Sequence, residues 1–445
     1  MCNREGMVML YDYIIVGAGL AGLLAGSILI EEEKRVLIID KNQVVGGYLR
    51  DLMPGVPFGA HHIGIPNLKI LNQFCDKLGF SIENHLKNAD MVSIVLHNKK
   101  ITLSLKLLEE KQQLMELFPE EAKGICNYFE YLSRFSEVLY AEDEKAVKKY
   151  FLELVNITFN DFLHRFFDNQ ELIELLSFLG PSYGGVNEEA SAFTFASLIA
   201  TYGSGAYYLD TDWLIEQLEG HVNNSKWGRI EYGFEARTMH FSEEKACYEI
   251  RDDKRRVLFA KKVVFASYFG TILKEYCETS KNQNNALKKI LGMEIGPSAF
   301  RFYFKIDQKV NRHEWIYMGE NPAIVSTLEQ DACNVMVTFV SVAKKTQEEY
   351  ETIAQTLVEQ IFNVRNVKLI MTSTPNHKMQ ITNNKCGAVF GWKRNKVNNL
   401  TTNLIYNMHQ YINNVYVVGN WGATFGFFGV LYTIVKFLKF QNIEL

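Results

Sequence analysis

The chain is poor in the residues that staple, break or separate folds. Eight prolines are spread over 445 residues, and no Pro-, Gly- or Ser-rich linker and no repeat divides the sequence. Domains are therefore expected to be interleaved rather than strung end to end. The seven cysteines (Cys2, Cys75, Cys126, Cys247, Cys277, Cys333 and Cys386) are odd in number and widely spaced. Without a Cys-x-x-Cys pair they argue against a zinc site or redox dithiol, and they suit a reducing cytosol. No run of 18 apolar residues occurs, which argues against a span of the bilayer. The first ten residues carry no signal-peptide core. Lys and Arg total 47 against 51 Asp and Glu, a net charge of −4, and no basic run appears. Nucleic acid is not an expected partner. Nucleophile-elbow, paired-carboxylate and metal-ligand motifs are also missing, so no metal is expected.

What the chain does have is concentrated near its start. An apolar run, Tyr13 to Val16, leads into Gly17-Ala18-Gly19-Leu20-Ala21-Gly22. In such a turn Gly17 permits the tight bend, Gly19 lets backbone approach a pyrophosphate, and Gly22 lets the following helix pack close to the strand. That helix aims its N-terminal N–H groups and positive dipole end at the phosphates. A second apolar run, Val36 to Ile39, ends in Asp40, placed to accept hydrogen bonds from a ribose. The pattern predicts a β-α-β unit over 11–47 that binds an adenine dinucleotide.

Downstream, residues 66–82 show helical spacing at Leu68, Leu71, Phe74, Cys75 and Leu78, with Gly79 as a stop. Residues 103–200 read as mostly helical. Leu107, Leu108, Leu114, Leu117 and Phe118 mark one amphipathic stretch, and Ile125, Tyr128, Phe129, Leu132 and Phe135 the next. A helix over 211–223 is followed by strand signals at 228–232, 246–250 and 262–266. Alternation at 300–306 and 334–340 predicts a second sheet. The 30 Phe and 22 Tyr exceed ordinary core needs and suggest a long apolar cavity. Val415 to Gly419 reads as a buried strand, and Gly422, Gly426 and Gly429 open a final helix. Residues 427–440 are expected to form a buried helix closing the nucleotide domain, with membrane-surface contact as the alternative.

A second glycine-punctuated strand-to-helix junction so far from the first argues for a long cofactor, FAD. With these motifs in view, the chain resembles the phytoene desaturase, carotenoid isomerase and retinol saturase family, within the flavin amine oxidase-like superfamily. The resemblance rests on Gly17, Gly19, Gly22, Asp40, Gly46 and Gly47. It extends through Tyr202-Gly-Ser-Gly-Ala-Tyr-Tyr208, Gly387 to Trp392, and Asn414 to Asn420. It implies an α/β fold: a Rossmann-like FAD-binding domain with an interleaved α+β substrate domain of mixed sheet and helical cap. The expected parts are FAD-binding segments at 10–95, 206–295 and 376–445, a helical cap at 96–205 and a substrate-domain sheet at 296–375.

By this resemblance Gly17, Ala18, Gly19 and Gly22 meet the pyrophosphate and Asp40 meets the ribose, with Lys41 beside it. Gly47 and the residues after it pass near the flavin, Glu235 or Ala236 offers backbone to the adenine, Gly419 and Asn420 face the ribityl chain and phosphates, and Gly429 and Val430 face the isoalloxazine edge. Asn420 stands where the family usually has an acid, and Tyr48 and Leu49 intervene before Arg50. The run Phe58 to Gly64 also resembles the flavin-proximal histidine stretch of UDP-galactopyranose mutase, although the mutase-type arginine is absent from the tail.

Flavin chemistry then makes His61 and His62 the candidate proton-handling groups. Tyr202, Tyr207, Tyr208, Trp392 and Trp421 are the candidate walls. No second Gly-x-Gly-x-x-Gly occurs, so a dedicated NAD(P)H domain is not expected. The reading is an FAD-dependent oxidoreductase acting on an apolar or amine-bearing small molecule. The alternatives are a redox-neutral isomerase or mutase, and a flavin-free binder like the Rab GDP-dissociation inhibitors.

Overall fold

A computed structural model describes residues 9–53, 56–58, 62–141, 144–177, 190–281, 284–319, 321–328, 332–340, 345–422 and 426–445. The first β-α-β unit forms where the apolar runs demand it. Strand Leu10–Val16, helix Leu20–Glu31 and strand Val36–Asp40 follow in order, and the two strands pair in parallel. The helix is apolar on every side, and its residues from Leu20 to Ile30 are all buried. Such a helix is stable only in the interior. It lies between the sheet and a layer formed by Ile65–Lys77, Thr211–Asn224 and the C-terminal helix Gly426–Phe440.

The nucleotide sheet runs in the order Gly228–Tyr232, Val36–Asp40, Leu10–Val16, Val257–Phe265, Cys247–Asp252, Ala236–Ser242. Strand Val257–Phe265 forks. Its first half pairs antiparallel with Cys247–Asp252, and its last three residues pair in parallel with Val415–Val417. The fork brings the far end of the chain beside the glycine turn. Sequence alternation catches only the second half of this strand, because the two halves answer to different neighbours.

A second seven-stranded sheet joins Val367–Ser373, Ala299–Val310, Ala332–Val340, Ala323–Thr327, Glu314–Met318, Met91–Leu96 and Lys99–Ser104. The hairpin 91–104 belongs to this sheet, so the boundary expected at 95 cuts through it. A small sheet of His62–Gly64, Ala206–Leu209 and Leu86–Asn88 links the lobes. The helices Leu107–Leu117, Ala122–Tyr140 and Ala192–Tyr202 bury their own core around Ile125, Tyr128, Leu132 and Phe135. Leu108 and Leu117 depart from the expected buried face and are 80% and 49% exposed. Helix Ile65–Lys77 stops as expected, with Gly79 at φ +79° and the Phe80 N–H donating to the Cys75 carbonyl, a left-handed C-terminal cap.

The C-terminal helix buries Leu431, Ile434, Phe437 and Leu438 against the first helix. Among the described residues no helix is long and apolar enough to cross a membrane. Nor does any group of three His, Cys, Asp or Glu stand in metal-ligating arrangement among them. The described cysteines are free thiols.

Candidate active site

The glycine turn borders a long cavity. Gly17 takes φ +114°, a backbone conformation that side chains resist. A Cβ on Gly22 would sit 1.9 Å from the Gly17 carbonyl oxygen, whereas a Cβ on Gly19 would meet nothing nearer than the Gly47 Cα at 4.0 Å. Gly22 is thus spent on packing, and Gly19 faces open space. The Gly46 N–H donates to the Ala18 carbonyl at 2.8 Å, strapping the Gly46-Gly47 loop against the turn. The first N–H groups of the helix at Leu20 and Ala21 border the same space, an anion-binding geometry.

One end of the cavity is lined by Asp40, Lys41, Phe234, Glu235 and Ala236. Asp40 also braces the turn: Oδ2 accepts from the Ala18 N–H at 2.8 Å, and Oδ1 accepts from the Asn42 backbone and side chain. Ala18 itself is fully buried behind it. Glu235 pairs with Arg237 at 2.8 Å. Burial lowers the pKa of Lys41, and its ammonium reaches the Met379 carbonyl.

Further along the cavity, Gly419, Asn420, Trp421, Phe427 and Val430 form the wall. The Gly419 N–H donates to Thr433 Oγ1 at 2.8 Å, pinning the strand end to the final helix. Asn420 Oδ1 is buried without a hydrogen-bond partner, an acceptor that awaits a donor. Gly429 does not border the cavity; its carbonyl accepts from Thr433 Oγ1, and Val430 faces inward instead.

The inner face of the second sheet closes the other end with Arg301, Glu314, Ser326, Met336 and Thr338. His62 meets this face. Its Nδ1 lies 3.5 Å from Glu314 Oε2, its ring is 4.4 Å from Tyr208, and Ser326 Oγ donates to Glu314 Oε1 at 2.8 Å. Burial lowers the His62 pKa, Glu314 opposes that fall, and Arg312 adds to it. Arg312 stacks on the Tyr208 ring at 3.7 Å. The Thr338 hydroxyl is buried without a partner.

Beyond His62 lies a second cleft of about 1580 Å³. His62, Tyr202, Gly426 and Phe427 border both spaces, so the two adjoin there. Its walls come from the helical lobe, helix Lys396–Tyr406 and the outer face of the C-terminal helix.

Three expected walls do not reach the site. Trp392 lies behind it: the indole is 2% exposed, donates to the Trp421 carbonyl at 3.0 Å and packs on Trp421 and Phe269. Tyr207 borders neither space and packs toward the core of the nucleotide domain. Its neighbour Tyr208 points the opposite way, since strand side chains alternate, yet it also borders neither space and packs into the core of the helical lobe and against the His62 ring. His61 lies outside the described residues. Sequence reading missed Glu314, Arg301, Ser326 and Thr338. Each is a polar residue in a strand of the second sheet, and Glu314 alternates with buried Ile316, a signal visible in the pattern had that strand been recognised.

Comparison with known proteins agrees with this geometry. The NAD(P)-binding Rossmann-like domain family matches residues 15–78. A chloroplastic prolycopene isomerase of Arabidopsis thaliana is 30% identical over 140 residues, covering 28% of this chain and 22% of that protein. The UDP-galactopyranose mutase of Mycoplasma genitalium is 28% identical over 125 residues, covering 27% and 29%. The chain thus matches less than a third of either curated relative's length. Among solved structures, cyclohexylamine oxidase from Brevibacterium oxydans superposes with a TM-score of 0.65 at 12% identity, over 97% of this chain and 100% of that one. The chain has the Rossmann-containing fold of the FAD-binding amine oxidase type. The open cradle at Gly19 and the orphan acceptor at Asn420 fit an extended FAD.

Proposed function

We propose that this chain is an FAD-dependent oxidoreductase acting on an apolar or amine-bearing small molecule. The observation that carries the reading is one continuous cavity, running from Asp40 and Glu235 past the Gly19 cradle to the junction with a large second cleft. FAD, when bound, supplies hydride transfer at its N5 atom. Gly17, Gly19, Gly46 and Gly47 hold the pyrophosphate with backbone, and Asp40 takes the adenosine ribose. Glu235 and Ala236 border the adenine, while Gly419, Asn420 and Val430 border the ribityl chain and the ring. Tyr202 and Phe427 orient the substrate at the junction and exclude water. His62 takes up or gives the proton that accompanies the transfer, with Glu314 keeping its Nδ1 edge turned toward the second sheet.

Anaerobic mixing of the holoprotein with a panel of apolar alkenes, alcohols and amines tests this. Loss of flavin absorbance without added reductant is the expected result. A second reading is a redox-neutral rearrangement, favoured by the names of the two curated relatives, an isomerase and a mutase. Turnover that appears only after dithionite reduction, with no net change in the flavin, selects the second reading and rejects the first.

A further inference from the structure

The second cleft carries a charge of opposite sign to that of the chain. Among the described residues its lining includes five cations, Lys69, Lys148, Arg394, Lys436 and Lys439, against two side-chain carboxylates, Glu137 and Glu444. The whole chain is −4, so this excess is local. The cations come from three helices, Ile65–Lys77, Glu144–Leu154 and Gly426–Phe440, and, for Arg394, from the segment just before helix Lys396–Tyr406. Lys69, Lys148 and Lys439 are exposed, while Arg394 is 6% exposed and donates to the Phe390 carbonyl at 3.0 Å. The Lys436 ammonium lies 5.8 Å from the Tyr432 ring centroid.

Between these charges the walls are more apolar than polar: Phe151, Phe193, Leu198, Phe428 and Val435 stand among hydroxyl and amide groups such as Ser133, Ser136, Thr402 and Asn403. At about 1580 Å³ the space exceeds the ~300–1,000 Å³ of most small-molecule sites. A cleft lined by one sign of charge concentrates ligands of the other sign and repels its own.

We infer that the substrate is a long apolar molecule bearing an anionic group, held with its charge among these cations and its apolar body directed toward His62 and Tyr202. The inference rests on the oxidoreductase reading for its direction, but it makes a separate claim. Although the fold is shared with amine oxidases, a protonated amine would enter this cleft against a positive field.

The test is calorimetric titration of the flavin-loaded protein with monomeric oleate, oleylamine and oleyl alcohol, at low and high salt. Oleate is expected to bind about tenfold or more tightly than oleylamine, with the alcohol between them and the gap narrowing in salt. Lys69→Glu/Lys148→Glu, two exposed positions, should cut the oleate preference severalfold while the flavin-to-protein ratio holds. Equal or tighter binding of oleylamine overturns the inference, as does a preference that ignores the double charge reversal. Retention on dioleoylphosphatidylglycerol vesicles without monomer binding overturns it in favour of a lipid surface. A protein that takes up no FAD, by contrast, defeats the oxidoreductase reading and leaves the ligand preference to be read on its own.

Discussion

His62 and Glu314 come from strands 252 residues apart in the sequence and meet 3.5 Å apart, both nearly fully buried. Burial holds the imidazole pKa below 6.5, and the carboxylate resists that fall. Replacing Glu314 with Gln removes the resistance, so the His62 titration should move further down, as read by NMR of the labelled ring with His62→Gln as the assignment control. An unmoved midpoint contradicts the pairing. The sign for stability follows from the lowered pKa. Stability from the neutral imidazole is present above pH 6.5 and is lost as pH falls below it.

Glu110 works in the opposite direction. Burial in the helical lobe pushes its carboxyl up to about 8, so it is protonated in the fold where the unfolded chain would ionise it. Stability should therefore decline as pH rises from about 4.5 to about 8. Glu110→Gln should recover up to ~5 kcal/mol above that range, measured as Tm against pH. A parallel pair of Tm curves would sink this account. His62 was legible in the sequence because histidines follow the glycine-rich start. Glu314 was not, because only the register of a distant sheet brings it to that ring. The same limit separates Tyr207 from Tyr208, adjacent residues of one type whose facing is decided by strand alternation.

At the scale of elements, the turn between the first strand and the first helix divides its glycines by role. Gly19→Val should leave the fold intact, since a Cβ there meets nothing nearer than the Gly47 Cα at 4.0 Å, but it should empty the pyrophosphate position. The flavin-to-protein ratio of the purified variant should fall close to zero with the apoprotein Tm unchanged. Full flavin content would show that the phosphates lie elsewhere. Gly22→Ala should act on the fold itself, because its Cβ would clash with the Gly17 carbonyl. A loss of about 3 kcal/mol or more is expected, seen as lower denaturant resistance with or without FAD.

This β-α-β unit was the most legible part of the chain, because strand, turn and helix are set by neighbours within 30 residues. The forked strand Val257–Phe265 was half legible, since its first half pairs with Cys247–Asp252 and its last residues with Val415–Val417. Trp392 and Trp421 read alike as aromatic walls, yet only Trp421 borders the cavity. The indole N–H of Trp392 is committed to the Trp421 carbonyl, and that of Trp421 to Asn384 Oδ1, a chain of long-range bonds that composition does not reveal.

For the molecule as a whole, the main expectation from sequence was interleaving, and the sheets are built that way. The nucleotide sheet draws strands from 10–40, 228–265 and 415–417, and the second sheet draws them from 91–104, 299–340 and 367–373. The consequence is that the cofactor cavity has walls from both ends of the chain and a floor from its middle. The hairpin 91–104 was misplaced because six-residue strands in a helical neighbourhood carry little periodic signal.

The central claim is that one FAD lies along this cavity. The direct measurement is the flavin released by denaturing the purified protein, identified by chromatography and counted per 51.2 kDa chain. The account predicts one FAD, released whole, for each chain. A colourless protein that takes up no FAD on reconstitution would contradict it.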